Sequence, residues 1–352
     1  MNVLMLGPGL GVQGGISAVE RMTLAALPRR VSATHIPTME EGSKARKLVT
    51  YLRALGLTLL RTVRRPDIVH IHFASRASSV RKMSLARLAL ARGCKVVMHA
   101  HGGAYSAYWK SLSPRARAGN LAVLNRIHAL IVLGEGWREF FVSIGVAPER
   151  IAVLPNPVAL PAVLPLRERA ARVTFAYLGL IASSKGTFDL VEALGRLPAA
   201  TLDKLRVVIA GNGEHAELAR RIRLHALGSV VEVRTWLKPE ERDALLASAE
   251  AFVLPSYHEG LPMALLEAMA WGLAPVCTPV GSIPELVEHE ANGLLAAPGD
   301  LDALAAAIER IALDPDLRGR LGAAARRRVE PLAVGAYAEK LCALYEAVSC
   351  NA

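Results

Sequence analysis

Residues 251–279, AFVLPSYHEGLPMALLEAMAWGLAPVCTP, read as one strand-turn-helix-strand unit. AFVLPS and APVCTP are short apolar runs bounded by proline, the pattern of strands buried on both faces. Between them, Pro255 and Gly260 punctuate a loop. Pro262 suits a first helical turn, and Ala264, Leu265, Leu266, Ala268, Met269 and Ala270 are good helix formers, so the helix is predicted to begin near Pro262. Glu259 then stands in the loop just before the helix, and Glu267 lies more than one turn inside it. The unpaired amides of the first turn would face any anion docking there. In isolation such a pair of glutamates is more often a solvated loop residue and an ordinary helix residue, so its meaning depends on what accompanies it.

The same alternation extends in both directions. Towards the N-terminus of this half, VTFAYLGL at 173–180, RVVIAG at 206–211 and VVEVRTW at 230–236 read as further strands, with helices expected at 185–197, 215–227 and 239–249. The first half repeats the order with VLML at 3–6, IVHIHF at 68–73, KVVMHA at 95–100 and ALIVLG at 129–134. A proline-rich and then charged stretch, PNPVALPAVLPLRERAAR, separates the halves. The expected fold class is therefore α/β, two Rossmann-like doubly wound domains facing a central cleft, with ligands at the carboxyl ends of the strands. The domains are placed at 1–162 and 163–352, with the last helix able to pack back on the first domain.

Charge is unevenly spread over the 352 residues. Residues 1–160 hold 22 Lys and Arg against 7 Asp and Glu, and residues 161–352 hold 20 against 24. The basic half calls for an anionic partner. The aromatic interleaving of a single-strand nucleic-acid binder is missing, which favours an anionic lipid surface over nucleic acid. Cys94, Cys277, Cys342 and Cys350 are widely separated, a pattern of a reducing, cytoplasmic compartment with no zinc-type pairing. No apolar run is long enough to span a bilayer, and MNVLMLGPG reads as a strand and its turn instead of a signal peptide. Membrane contact is expected to be peripheral. Residues 44–65 place Leu48, Leu52, Leu55, Leu59 and Val63 at near-helical spacing among Lys44, Lys47, Arg53, Arg61, Arg64 and Arg65. Such a helix could lie on an anionic membrane, although packing of its leucine stripe on the sheet is the preferred reading.

Several strand ends carry residue types suited to a phosphorylated ligand. The first strand runs into GPGLGVQGGIS, where Gly14 and Gly15 let the backbone approach a ligand at the start of a helix. Val12 and the lack of an acidic ribose partner argue against nicotinamide binding. His99, His101, Gly102 and Gly103 follow KVVM, and a histidine there can hydrogen-bond a sugar hydroxyl or a developing charge. His70 and His72, inside an apolar strand, are read as structural. In the second half Gly179 ends a strand and Lys185 with Gly186 opens a helix, bringing an ammonium to phosphate oxygens. Gly211 and Gly213 in GNGE bound a further turn, suited to a nucleoside edge.

Taken in order, these residues resemble family 4 retaining glycosyltransferases of the GT-B fold, of the bacterial exopolysaccharide and O-antigen type. The resemblance rests on Gly14-Gly15, His101-Gly102, LPNPV at 154–158, Gly179 with Lys185-Gly186, GNGE, Glu259 and Glu267, and VGSIPELVEHEANGLLAAPGD at 280–300. It implies an N-terminal acceptor-binding domain and a C-terminal nucleotide-sugar donor domain. In the implied site Glu267 accepts ribose hydroxyls and Glu259 sits by the transferred sugar. Gly260, Leu261, Pro262, Met263 and Ala264 supply contacts to sugar and diphosphate. Lys185 holds the diphosphate, Gly15 lies against it, and His101 contacts the sugar. His101, Lys185 and Glu259 are the catalytic candidates, with no metal and no cofactor beyond the nucleotide sugar. The expected reaction moves a hexose to a hydroxyl of a saccharide or lipid-linked acceptor in surface exopolysaccharide or lipopolysaccharide synthesis. Two positions depart from the family pattern: Leu180 stands where an arginine commonly follows the glycine, and Thr235 where a glycine usually precedes Trp236. Leu180 keeps open a catalytically weak sugar-nucleotide-binding scaffold; a sugar-nucleotide epimerase is the other alternative.

Overall fold

The computed structural model describes residues 1–165 and 171–350. The chain forms two compact units, Met1–Pro157 with Leu332–Ala352, and Val158–Pro331.

The first unit is built on six parallel strands: β1 (Asn2–Gly7), β2 (Ser32–Pro37), β3 (Ile68–Phe73), β4 (Val96–Ala100), β5 (Ala129–Val132) and β6 (Ile151–Val153), in the order β2-β1-β3-β4-β5-β6. All six residues of β3 are buried, as a strand covered on both faces requires. Alternation sorts them. Val69, Ile71 and Phe73 join Leu4, Leu6, Val96 and Met98 in a core that includes Met83, Leu85 and Ala86 of the helix Ala77–Ala91. Ile68 points the other way, with Val3, Val97 and Ile131, and packs with Tyr337, Leu341 and Tyr345 of the helix Val334–Cys350. The last helix thus belongs to the core of the first unit. The division falls between Pro157 and Val158, within the LPNPV segment, instead of at 162–163; Leu154, on the first unit's side, lies in the same cluster as Tyr345.

The second unit repeats the plan with β7 (Val173–Leu178), β8 (Leu205–Ala210), β9 (Val231–Arg234), β10 (Ala251–Leu254), β11 (Ala274–Cys277) and β12 (Leu294–Leu295), ordered β12-β11-β10-β7-β8-β9. Pairing is parallel throughout. Strand order switches sides between β7 and β10, so this parallel pair marks the crevice where open α/β sheets place their ligands. The helix expected to begin near Pro262 is present as Met263–Ala270, with Pro262 as its N-cap. The helix expected from Lys185 begins instead at Thr187, because Gly186 adopts a left-handed conformation (φ 63°) and leaves Lys185 in a preceding 3₁₀ turn.

The helix Lys44–Thr62 overturns the preferred reading of residues 44–65. It buries Thr50, Ala54, Thr58 and Thr62, while Leu48, Val49, Leu52, Leu59 and Leu60 are exposed, as is Val63 just beyond it. The fully buried residues recur every fourth position and are small, which lets this helix approach its neighbours closely; Tyr51, Leu55 and Leu57 are partly buried against the core beside them, and the remaining leucines occupy the exposed face. Among the described residues, no helix is long and apolar enough to cross a membrane.

Candidate active site

The carboxyl ends of β7 and β10 bring Lys185 and Glu259 together. Lys185 Nζ donates to Glu259 Oε1 at 2.7 Å and approaches the His258 carbonyl at 3.5 Å. Ser256 Oγ donates to the same Glu259 oxygen at 2.8 Å. Gly186 makes this approach possible: a Cβ there would fall 1.9 Å from the Pro255 carbonyl oxygen, so only glycine lets the two loops meet. The glutamate is largely buried (side chain 9% exposed) and the lysine more open at 28%. The ammonium is therefore the partner that an incoming anion could reach.

Below this pair, the helix Met263–Ala270 begins without a side-chain cap or an acidic residue in its first turn. Its positive end is thus left for an external anion. Ser282 N donates to the Gly260 carbonyl at 2.8 Å, fixing the Gly260-Leu261-Pro262 turn from the VGSIPELV segment. Glu267 faces outward enough to be 16% exposed, and Arg242 Nη1 donates to its Oε1 at 2.8 Å. Arg242 lies on the helix Pro239–Ser248. Gly179, Gly211 and Gly213 line up along neighbouring strand ends: Gly179 N bonds the Ala210 carbonyl, and Ile181 bridges to Gly213. Leu180 is half exposed at 51%, while its carbonyl accepts from the Tyr177 hydroxyl at 2.9 Å.

In the first unit, Gly14 caps the helix Gly15–Ala26 with no side-chain hydrogen bond, and the space around Gly14 is open. The Glu41 carboxylate accepts from Gln13 N at 3.1 Å close by. His101 extends the ladder beyond β4, donating its amide to the Phe73 carbonyl at 2.9 Å. Its ring stacks on His72, with Nε2 2.9 Å from His72 Nδ1. Burial, with Lys82 nearby, pushes the His101 imidazole down to about 3. It is thus neutral at physiological pH, a hydrogen-bonding group and not a fixed positive charge.

The candidates therefore fall into two groups by unit. Lys185, Glu259, Glu267, Gly179, Gly211, Gly213 and Gly260 to Ala264 form one array on the second unit; Gly14, Gly15 and His101 stand on the first. Sequence reasoning missed Arg242 and Ser256. Ser256 was visible as a hydroxyl one turn before Glu259, but Arg242 reaches Glu267 only through tertiary packing.

Residues 12–157 match the glycosyl transferase 4-like domain, and residues 166–328 match glycosyl transferases group 1. The chain belongs to the family 4 glycosyltransferases. It is 31% identical over 212 residues to the MMP alpha-(1->4)-mannosyltransferase of Mycolicibacterium hassiacum, covering 59% of this chain and 51% of that protein. It is 27% identical over 272 residues to the GDP-mannose:cellobiosyl-diphosphopolyprenol alpha-mannosyltransferase of Xanthomonas oryzae pv. oryzae, covering 74% and 69% respectively. The chain thus spans about half the length of the first of these relatives. In three dimensions it resembles Anabaena Alr3699/HepE in complex with UDP-glucose, with TM-score 0.79, 17% identity, and 99% and 100% of the two chains covered. That likeness establishes the GT-B fold.

Proposed function

We propose that this glycosyltransferase moves a hexose from a nucleoside-diphosphate sugar, with retention, to a hydroxyl of a saccharide or lipid-linked saccharide in bacterial surface polysaccharide synthesis. The observation that carries the reading is the Lys185–Glu259 pair at the β7/β10 crevice, beside an uncapped helix N-terminus. Relatives named as mannosyltransferases support the reaction class.

Breaking the bond between sugar and diphosphate places developing negative charge on the leaving phosphate. Lys185 and the amides at Met263 and Ala264 are the groups that would stabilise it, since preorganised charge aimed at a leaving group is a dominant source of rate. Glu259, relieved of its lysine, would then accept a hydroxyl of the transferred sugar, and Glu267, oriented by Arg242, would accept from the ribose. The acceptor hydroxyl attacks the anomeric carbon from the face the diphosphate leaves. Its proton passes to the departing phosphate oxygen, so no carboxylate need form a covalent sugar intermediate. The cationic lysine and helix end neutralise the leaving group in this scheme without a divalent ion. Transfer assays with a brief EDTA treatment, against assays with added Mg²⁺ or Mn²⁺, test that point: equal rates are expected, and a requirement for added metal refutes it.

A second reading rests on Leu180. Its half-exposed apolar side chain stands where the family commonly has an arginine, which favours a weakly active sugar-nucleotide-binding scaffold. Donor hydrolysis without acceptor separates the two, because a pure binder leaves the donor intact. Thermal-shift screening of uridine and guanosine sugar nucleotides identifies the base.

The helix Lys44–Thr62 supports docking on an anionic membrane. Its exposed Leu48, Leu52, Leu59 and Leu60 form an apolar strip, and Lys44, Lys47, Arg53 and Arg61 lie beside it. That combination suits insertion at the headgroup boundary with basic side chains on anionic lipids. A cytoplasmic, peripheral location and a lipid-linked acceptor fit the same surface.

A further inference from the structure

Four histidines of the first unit converge on one face of its sheet. His70 and His72 lie two residues apart on β3, which puts both side chains on the same face. His99 on β4 is directly opposite His72, and His101 follows it. His70, His72 and His99 have no exposed surface. The helix Gly15–Ala26 adds Glu20, fully buried, against the same face. Glycine at position 7 admits that carboxylate, since a Cβ there would lie 1.4 Å from Glu20 Oε1.

The hydrogen bonds of this pocket do not close. His70 Nδ1 is 2.6 Å from the Tyr345 hydroxyl and His72 Nδ1 is 2.9 Å from His101 Nε2. Those contacts leave His70 Nε2, His72 Nε2, both nitrogens of His99 and both oxygens of Glu20 without a hydrogen bond. The nearest charged approaches to Glu20 are long, His35 Nε2 at 3.5 Å and His72 Nε2 at 3.9 Å. Each unmet buried polar atom costs about 1–3 kcal/mol, and native interiors keep few of them. A cluster of this kind suits an occupant that meets several of them at once.

His70, His72 and His99 each present one nitrogen within 4.8 Å of the other two. Bound to one ion at about 2.0–2.1 Å, such nitrogens would be roughly 3.3–3.5 Å apart, so the rings, which lie stacked or tilted by no more than 36°, would turn towards one another on binding. Neutral imidazole suits zinc, copper and nickel, and a carboxylate is a common companion ligand. We propose that His70, His72 and His99 bind a divalent transition-metal ion of the zinc class as a structural site beneath the sheet end of the first unit, with Glu20, whose Oε1 lies 3.9 Å from His72 Nε2, as the carboxylate beside it. The contacts already present are those that orient ligands. Tyr345 would fix the tautomer of His70 through Nδ1, and His101 that of His72. Lys82, whose ammonium is held on Thr38, is the opposing charge nearby. The site ties β3 and β4 to the first helix and, through Tyr345, to the last. It lies apart from the Lys185–Glu259 array and does not depend on the transfer reaction, but it departs from the expectation of a metal-free chain.

The test uses the full chain purified without a histidine tag. Elemental analysis after gel filtration should find about one zinc per chain. Metal-free protein loaded with Co²⁺ should show the visible absorption of a tetrahedral nitrogen and oxygen site, and added Zn²⁺ should raise its melting temperature. Tyr345→Phe keeps the core packed and removes only the orienting hydroxyl, so zinc affinity should fall roughly 10–100-fold. A chain that retains no zinc, gives no cobalt spectrum and melts at the same temperature with and without Zn²⁺ overturns the proposal and leaves water as the occupant. Zinc bound equally tightly by Tyr345→Phe and by His99→Gln also overturns it, by placing the metal elsewhere.

Discussion

Lys185 and Glu259 hold each other at 2.7 Å across the two strand ends where the strand order of the second unit's sheet switches sides. An ammonium in this position can serve a leaving diphosphate only by exchanging one anionic partner for another. Ser256 remains bonded to Glu259 after such an exchange, so the carboxylate is not left without a partner. The pair therefore leaves Glu259 with a partner in either arrangement.

Leu180→Arg should strengthen this site. The position is half exposed beside the lysine turn, so a guanidinium can be accommodated without displacing core. A charge-assisted contact is worth about 1.5–3 kcal/mol, which corresponds to roughly a 10–150-fold gain in kcat/KM. Steady-state kinetics with saturating acceptor check this; unchanged kcat/KM would mean that residue 180 does not face the diphosphate.

Charge placed on the exposed leucines should abolish membrane binding without unfolding the protein. Leu48→Asp with Leu59→Asp alters two side chains about half exposed, whose loss to the core is small. Vesicle sedimentation with anionic lipid should show binding by the wild type that weakens as salt rises, and none by the double variant. Binding that ignores lipid charge and salt would contradict the surface assignment.

Leu341→Ala tests the membership of the last helix. Leu341 is fully buried with Val3, Ile68 and Ile131, so the truncation should cost about 2–5 kcal/mol of the stability of the first unit. Denaturant unfolding followed by hydrogen exchange should assign the loss to strands β1, β3 and β5. Loss confined to the second unit would place the helix wrongly.

Much of this was legible in the sequence because the signals were local. The strands of IVHIHF and AFVLPS, and the helix from Met263, are set by short apolar runs and by proline and glycine punctuation. The order of glycines, Lys185, Glu259 and Glu267 pointed to the family. Other features depend on three-dimensional packing. Amphipathic spacing in residues 44–62 identifies a helix but does not say which face is inside, and here threonine and alanine are the fully buried residues while Leu55 and Leu57 are only partly covered. Arg242 meets Glu267 from a different helix. The partnership of His70 with Tyr345 joins residues far apart in the chain, and no spacing rule reveals it.

The central claim is that Lys185 stabilises the leaving diphosphate while Glu267 anchors the ribose. Single-turnover transfer at saturating donor, compared between Lys185→Ala and Glu267→Ala, tests it most directly. The account predicts a fall in the chemical rate of roughly 10²–10³ for the lysine variant. For the glutamate variant it predicts mainly weaker donor binding, with a much smaller loss of rate. Equal losses in the rate constant, or a lysine variant that turns over like the wild type, would contradict it.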